Sequence, residues 1–150
     1  FHNPGHTSVA ITFVFGKTAF TGDTLFAAGC GRLFEGTPEQ MHDSLNIQIG
    51  GLPDDTELYF GHEYTVANLH FALSVETGNM EINKKLAAVT TLRSSGKFST
   101  PTTLAEERRT NPFMRCSSAE ICGTVTSKEP GHNLSEKEVF RTLRELKNNF

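Results

Sequence analysis

Strand-like hydrophobic patterns occupy much of the first third of the chain. Residues 9–15 are mostly β-branched or aromatic, and a Gly-Lys turn separates them from residues 18–21, which predicts a β-hairpin. Residues 56–60 follow a Pro-Asp-Asp turn and predict another strand. Residues 27–36 are rich in glycine and predict a loop.

Helical periodicity prevails after about residue 65. Apolar residues recur there at intervals of three and four, and before that point only the segment behind a capping box at Thr37 has the same period. Capping boxes at Thr103 and Ser135 predict the starts of two later helices. The predicted helices cover residues 37–49, 66–75 and 81–93, a short segment after 103, and the segment from 135 to 150.

This change of period divides the chain into two parts. Residues 1–65 mix strands with one helix, and residues 66–150 are helical. The pattern therefore predicts an α/β fold followed by an α-helical region, with a boundary near residue 65.

Composition narrows the class of protein. The 150 residues are 37% hydrophobic and 21% charged, which is typical of a globular protein. Apolar stretches such as residues 11–15 are far shorter than the roughly 20 residues that a membrane-spanning helix needs. A net charge of −3 makes nucleic acid a poor candidate partner. Cys30, Cys116 and Cys122 stand apart, which argues against a disulfide framework and favours a reducing compartment.

Three short motifs carry candidate chemistry: Pro-Gly-His-Thr at 4–7, Gly-Asp-Thr at 22–24 and Gly-His-Glu-Tyr at 61–64. His6 precedes a predicted strand, and Asp23 and His62 each follow one, so the three side chains can converge at one rim of a sheet. Imidazole and carboxylate together suit zinc, iron or manganese. Each motif alone is an ordinary turn, but the three together predict a metal site.

The motifs resemble those of glyoxalase II, the hydroxyacylglutathione hydrolase branch of the metallo-β-lactamase superfamily. The resemblance extends over essentially the whole chain. Its more specific markers are Ala-Gly-Cys-Gly-Arg at 28–32, Gly-His-Glu-Tyr-Thr at 61–65, Ser-Thr-Pro-Thr-Thr-Leu-Ala-Glu-Glu at 99–107 and Asn-Pro-Phe-Met-Arg at 111–115.

The resemblance implies a fold and an activity. The fold would be part of an αββα sandwich in residues 1–65 and a helical substrate-binding domain in residues 66–150. The activity would be hydrolysis of S-D-lactoylglutathione to D-lactate and glutathione, a step of methylglyoxal detoxification, at a site with two divalent metals. Zinc is the expected metal, with iron and manganese as alternatives. We expect a monomer that binds a glutathione thioester but neither nucleic acid nor membrane, in the cytoplasm or, alternatively, in mitochondria.

Roles for individual residues also follow from the resemblance. His6 would ligate the first metal, Asp23 would bridge both, and His62 would ligate the second, so that these three form the catalytic set. Arg144 and Lys147, three residues apart on the last predicted helix, would bind the glycine carboxylate of glutathione. The full set of expected substrate-binding residues is Arg32, Leu33, Phe34, His62, Glu63, Tyr64, Arg144 and Lys147.

Two positions depart from the family pattern, and one cysteine invites a catalytic interpretation. Arg32 stands where lysine is common, which keeps the charge. Phe34 stands where tyrosine is frequent, which removes a hydroxyl donor from the thiol-peptide site. Cys30 has no base nearby in sequence, so we expect it to pack rather than react.

One superfamily motif does not occur in the chain. The His-x-His-x-Asp-His segment, which supplies two ligands to each metal, is absent from the printed sequence, which opens at Phe1. We therefore expect the chain to be the C-terminal portion of such an enzyme, with negligible activity alone. The alternatives are a non-catalytic module that binds glutathione or another partner, and a thioesterase of the same superfamily that acts on a different thiol ester.

Overall fold

Short strands form two sheets in the computed structural model, which describes residues 1–127 and 134–150. The larger sheet has the order β1-β2-β5-β6, and the smaller one pairs β3 with β4. The strands are β1 (Phe13–Phe15), β2 (Thr18–Gly22), β3 (Leu25–Phe26), β4 (Gly29–Cys30), β5 (Glu57–Phe60) and β6 (Thr102–Thr103).

The larger sheet begins with the predicted hairpin. β1 pairs antiparallel with β2 across Gly16, whose φ of 58° suits a glycine turn. The first strand starts at Phe13 rather than at residue 9. Residues 10–12 lie instead beside the first residues of the chain, where His2 and Ile11 form an isolated bridge. One face of this sheet is buried through Ala19 and Leu58, and the other exposes aromatic side chains.

The parallel pairing of β2 with β5 determines where the site forms. Ala19 lies opposite Leu58, and Gly22 lies opposite Phe60 after a shift in register. Since both strands run in the same direction, the segments that follow them emerge at the same edge of the sheet.

The glycine-rich segment predicted as a loop contains the second sheet. Leu25 pairs with Cys30 and Phe26 with Gly29, around a tight turn. Small residues obscured this hairpin, because alanine and glycine give no alternating hydrophobic pattern. Ala28 has a φ of 56°, which is left-handed backbone at a residue other than glycine.

Helices form where the capping boxes and apolar periodicity predict them. The capping boxes at Thr37, Thr103 and Ser135 are all present. The first predicted helix changes to a π-helix at Ser44, and one helix, at 119–126, was not predicted. Among the described residues, no helix is both long and apolar enough to span a membrane. The helices are α1 (Pro38–Asp43), a π-helix (Ser44–Ile49), α2 (Thr65–Val75), α3 (Met80–Ser94), α4 (Leu104–Thr110), a 3₁₀ turn (Pro112–Met114), α5 (Ala119–Thr126) and α6 (Glu136–Asn148).

The main hydrophobic core joins the sheet to the helices. Phe113 lies between Phe71 of α2 and Phe140 of α6, with ring centroids 6.0 and 5.3 Å away, and all three rings are buried. Leu25 and Leu58 from the sheets belong to the same cluster. The α/β fold class is therefore confirmed, with one core spanning both sides of residue 65.

Candidate active site

The three expected metal ligands converge at one edge of the larger sheet. His6 Nε2 lies 3.6 Å from Asp23 Oδ2, and His62 Nε2 lies 3.3 Å from the same oxygen. Asp23 directly follows β2, and His62 lies two residues beyond β5. The Gly61 N–H donates to the Gly22 carbonyl at 2.9 Å, which ties the two segments together. Parallel strand ends thus place one carboxylate within reach of two imidazoles.

Glycine is required where the backbone passes these side chains. A Cβ at Gly61 would lie 2.4 Å from Asp23 Oδ1. A Cβ at Gly31 would lie 2.0 Å from the Asp23 carbonyl oxygen and 3.0 Å from His6 Nδ1. Neither position has space for a methyl group, so both glycines allow the close approach that the site needs.

The orientation of His6 suits metal binding. Its Nδ1 lies 2.8 Å from the Arg32 carbonyl oxygen, which can only accept, so Nδ1 carries the hydrogen. In the neutral ring, the Nε2 lone pair then faces the Asp23 carboxylate. Two facing acceptors are stabilised by a cation between them, and a histidine oriented by a backbone carbonyl is typical of metal sites.

These donors fit a divalent metal in kind but are few in number. At a site with two metals, one histidine and the shared carboxylate would give each metal two ligands, whereas zinc sites usually have three or four protein ligands. Within residues 1–127 and 134–150, no three His, Cys, Asp or Glu side chains surround a common point closely enough to hold a metal ion. His6, Asp23 and His62 would hold metal only as part of a larger ligand set.

A cavity of about 770 Å³ opens beside these three residues. Phe34 lies against the ring of His6 at 5.0 Å between centroids, and Tyr64 stacks on His62 at 5.2 Å. Both aromatic residues are more than half exposed. The volume suits a small organic ligand. Of the residues expected from the sequence, those that line it are His6, Asp23, Arg32, Phe34, His62, Tyr64, Arg144 and Lys147.

Arg144 enters the cavity from a buried position on α6. Its side chain is only 5% exposed, and Nη1 donates to the Cys30 carbonyl at 2.9 Å. The guanidinium lies over the ring of Phe113, 5.2 Å from its centroid. The buried Nε has no hydrogen-bond partner among the described residues. Arg144 therefore helps to hold the fold and also brings a positive charge to the lining of the cavity.

Lys147 lies one turn further along α6. Its Nζ donates to the Ala67 carbonyl at 3.2 Å and lies 5.1 Å from the ring centroids of Phe71 and Phe150. Burial, with a smaller effect from the charge of Arg144, lowers the pKa of Lys147 to about 8. Two neighbouring cations in an aromatic setting can bind an anionic group such as a carboxylate.

Leu33 and Glu63, also expected at the substrate site, do not line this cavity. Leu33 is half-buried and packs against the main core. The Glu63 carboxylate accepts from the Ser99 N–H at 2.7 Å and from the Ser99 hydroxyl at 2.6 Å. Glu63 therefore connects the segment that carries His62 to the segment before β6.

Sequence reasoning overlooked several residues that line the cavity. Asn68, nearly buried on α2, is the clearest, because an amide on the apolar side of a helix is a signal that could have found it. Phe150 was expected within the last helix but lies beyond the end of α6, where it is 65% exposed and lines the cavity. Cys30 also lines the cavity, and burial raises the pKa of its thiol, which disfavours the reactive thiolate.

Comparison with known families agrees with this architecture. Residues 63–150 match the family described as "Hydroxyacylglutathione hydrolase C-terminus", which is more than half of the chain. The chain belongs to the hydroxyacylglutathione hydrolase family. Residues 2–62 match the metallo-beta-lactamase superfamily.

Named relatives are considerably longer than this chain. A hydroxyacylglutathione hydrolase of Pseudomonas savastanoi pv. phaseolicola is 48% identical over 98% of the chain, which covers 58% of that protein. The hydroxyacylglutathione hydrolase of Rhizobium meliloti is 44% identical, again over 98% of the chain and 56% of the relative. The crystal structure of ETHE1 from Myxococcus xanthus aligns with a TM-score of 0.54 and 27% identity, over 98% of this chain and 51% of that one.

Proposed function

We propose that these residues form part of the active site of a thioester hydrolase that converts S-D-lactoylglutathione to D-lactate and glutathione. The observation that carries the proposal is the convergence of His6 and His62 on Asp23, in a cavity that also contains Arg144 and Lys147. The family membership of the chain supports the same reaction.

In this proposal His6 and His62 would each hold one divalent metal, and the Asp23 carboxylate would serve both. Metals held there, for which we propose zinc, supply Lewis acidity that activates water near neutral pH and polarises a carbonyl group. The Arg32 carbonyl orients His6, so its Nε2 faces the shared carboxylate. No protein base is needed for this reaction, and Cys30, whose thiol pKa is raised by burial, has no role in it.

We propose that Arg144 and Lys147, which line the same cavity, orient the substrate. Glutathione carries carboxylates remote from the thioester, and the guanidinium of Arg144 and the ammonium of Lys147 line the cavity and offer positive charge for one of them. Phe34 and Tyr64 form apolar walls next to the two histidines and limit the water around the thioester. We propose the cytoplasm as the compartment, a prediction that rests on the resemblance alone.

A chimera tests the proposal directly. The unmatched part of the Pseudomonas savastanoi relative is joined ahead of Phe1, and hydrolysis of S-D-lactoylglutathione is measured with zinc present. We expect turnover, and we expect Asp23→Asn to abolish it, because that change removes the charge that holds both metals. A chimera that binds glutathione without turnover would favour the non-catalytic module instead.

Two further measurements separate the roles within the site. Lys147→Met should raise KM more than it lowers kcat, because a remote carboxylate is bound equally in the ground and transition states. Lys137→Met is the matched control on the same helix, where the lysine pairs with Asp43 and lies outside the cavity. If the chimera hydrolyses a different thiol ester faster than S-D-lactoylglutathione, the chain belongs instead to a thioesterase with another substrate. Phe34→Tyr is the first variant whose thiol-ester preference should be compared, because it restores the hydroxyl that is frequent in the family.

A further inference from the structure

Side chains from the helical part of the chain hold the turn between β3 and β4. Asn111 Nδ2 donates to the carbonyls of Phe26 at 3.3 Å and Gly29 at 3.0 Å. Glu107 Oε2 accepts from the Ala28 N–H at 2.8 Å. The turn is thus bound by residues of the two family markers at 99–107 and 111–115, to which the proposed reaction assigns no role.

The Glu107 carboxylate is fully buried and fully hydrogen-bonded. Besides the Ala28 N–H, it accepts from Asn111 Nδ2 at 2.9 Å, from the Thr102 hydroxyl at 2.8 Å and from Lys85 Nζ at 2.7 Å. Burying a charge is costly unless it is paired and hydrogen-bonded, and here every oxygen has such partners. The two oxygens bind different groups: Oε1 accepts from Lys85, and Oε2 accepts from the Ala28 N–H and from Asn111.

The backbone conformation of Ala28 explains why the turn needs the hydrogen bond to Glu107. Its φ of 56° is unfavourable for an L-residue, and such a conformation persists only where its surroundings impose it. The hydrogen bond from the Ala28 N–H to Glu107 imposes it here.

The turn leads directly to the candidate metal ligand. Cys30 pairs with Leu25, and the Gly31 N–H donates to the Thr24 carbonyl at 3.3 Å. The next residue, Arg32, presents the carbonyl that accepts from His6 Nδ1. The conformation at Ala28 therefore determines where the Arg32 carbonyl lies, only four residues later.

We propose that Glu107 is a positioning residue that holds the ring of His6 in the Nδ1–H tautomer by acting through the Ala28 turn and the Arg32 carbonyl. The proposal rests on the proposed function only in treating His6 as a metal ligand. Its test measures the ring of His6 rather than hydrolysis, so the two can fail independently.

Glu107→Gln is the informative change because it keeps the size of the side chain. The Lys85 ammonium can only donate and requires an oxygen, so the glutamine amide group would turn its NH₂ toward the Ala28 N–H. Two donors would then face each other, and the turn would lose its anchor. Ala28→Gly in the same chain should repair the defect, because glycine adopts a positive φ without that contact.

The experiment uses the 150-residue chain labelled with ¹⁵N-histidine, about two pH units above the usual histidine pKa of roughly 6.5. The ring signals of His6, assigned with a His6→Gln variant, report its tautomer. We expect a single Nδ1–H pattern in the parent chain, loss of that pattern in Glu107→Gln, and its return in the double variant with Ala28→Gly. Ala28→Gly alone should resemble the parent.

Glu76→Gln is the matched control. Glu76 is also nearly buried and hydrogen-bonded, to Arg115, Ser118 and Asn79, but it does not touch the turn. It should lower stability and leave the His6 pattern unchanged. An unchanged His6 ring in Glu107→Gln, no repair by Ala28→Gly, or an equal effect of Glu76→Gln would each overturn the proposal. If Glu107→Gln does not fold, Asn111→Ser carries the same test, because it removes the bonds to the Phe26 and Gly29 carbonyls.

Discussion

At Gly31 the backbone passes so close to Asp23 and His6 that a methyl group has no space. Gly31→Ala should therefore lower the free energy of unfolding by about 1–3 kcal/mol, since the neighbouring backbone must move. Gly123→Ala is the control, because that helical glycine has nothing within 4 Å of its built Cβ and should gain about 0.5–1 kcal/mol. Urea denaturation measures both, and a Gly31→Ala variant as stable as the parent would contradict the crowding.

Lys147 should make stability depend on pH in an unusual direction. Its pKa falls from 10.5 to about 8 on folding, mainly because of burial, so between these values the unfolded chain binds more protons than the folded one. Stability from this group is then lowest below pH 8 and rises as the pH increases toward 10.5. The unfolding free energy of the parent minus that of Lys147→Met should increase from pH 7.5 to about 10. A difference that stays constant across this range would show that Lys147 is not desolvated.

The sequence predicted the convergence of the three candidate ligands better than the contacts around them. His6, Asp23 and His62 could be found because strand ends and adjacent glycines leave a local signature. The role of Glu107 could not be found, because its partners Ala28 and Lys85 lie far away in sequence and no local pattern links them. Glu63 was expected at the substrate site, and its carboxylate accepts from Ser99, outside the lining of the cavity.

Among the secondary-structure elements, the helices marked by a capping box or by apolar periodicity were the ones that the sequence predicted correctly. α5 escaped prediction because its N-cap, Ser118, has no capping bond and instead donates its hydroxyl to Glu76, and because Gly123 interrupts its apolar pattern. The hairpin of β3 and β4 escaped because contacts with Asn111 and Glu107 hold its turn, rather than a local turn motif. Elements defined by distant contacts are thus the ones that local rules overlook.

The capping box of α6 should matter for the stability of the whole helix. The Ser135 hydroxyl accepts from the Glu138 N–H, and the Glu138 carboxylate accepts from the Ser135 N–H at 2.8 Å. Ser135→Ala should cost about 1 kcal/mol of unfolding free energy, because backbone donors of the first turn lose a partner. Ser127→Ala is the control, since its exposed hydroxyl only returns a bond to the Thr124 carbonyl. Equal effects of the two substitutions would argue against the capping contribution.

The whole molecule depends on contacts that cross residue 65. β6 comes from the second part of the chain and pairs with β5 of the first, and Phe113 and Phe140 pack in one core with Leu58. The division into two domains at residue 65, which the change of period predicts, stays a prediction. After residue 65, side chains from helices line the cavity, among them Asn68 of α2 and Arg144 and Lys147 of α6.

Metal binding by the whole chain follows from counting its donors. The described residues bring His6, Asp23 and His62 together as candidate ligands, and at the proposed two-metal site they would give two ligands to each metal. Such sites bind weakly, so the 150-residue chain dialysed against zinc should retain clearly fewer than two ions per molecule. Asp23→Asn should reduce the retained zinc further, because the shared carboxylate serves both positions. Two tightly retained ions would mean that ligands outside this set complete the site, and the division of roles among the three residues would have to change.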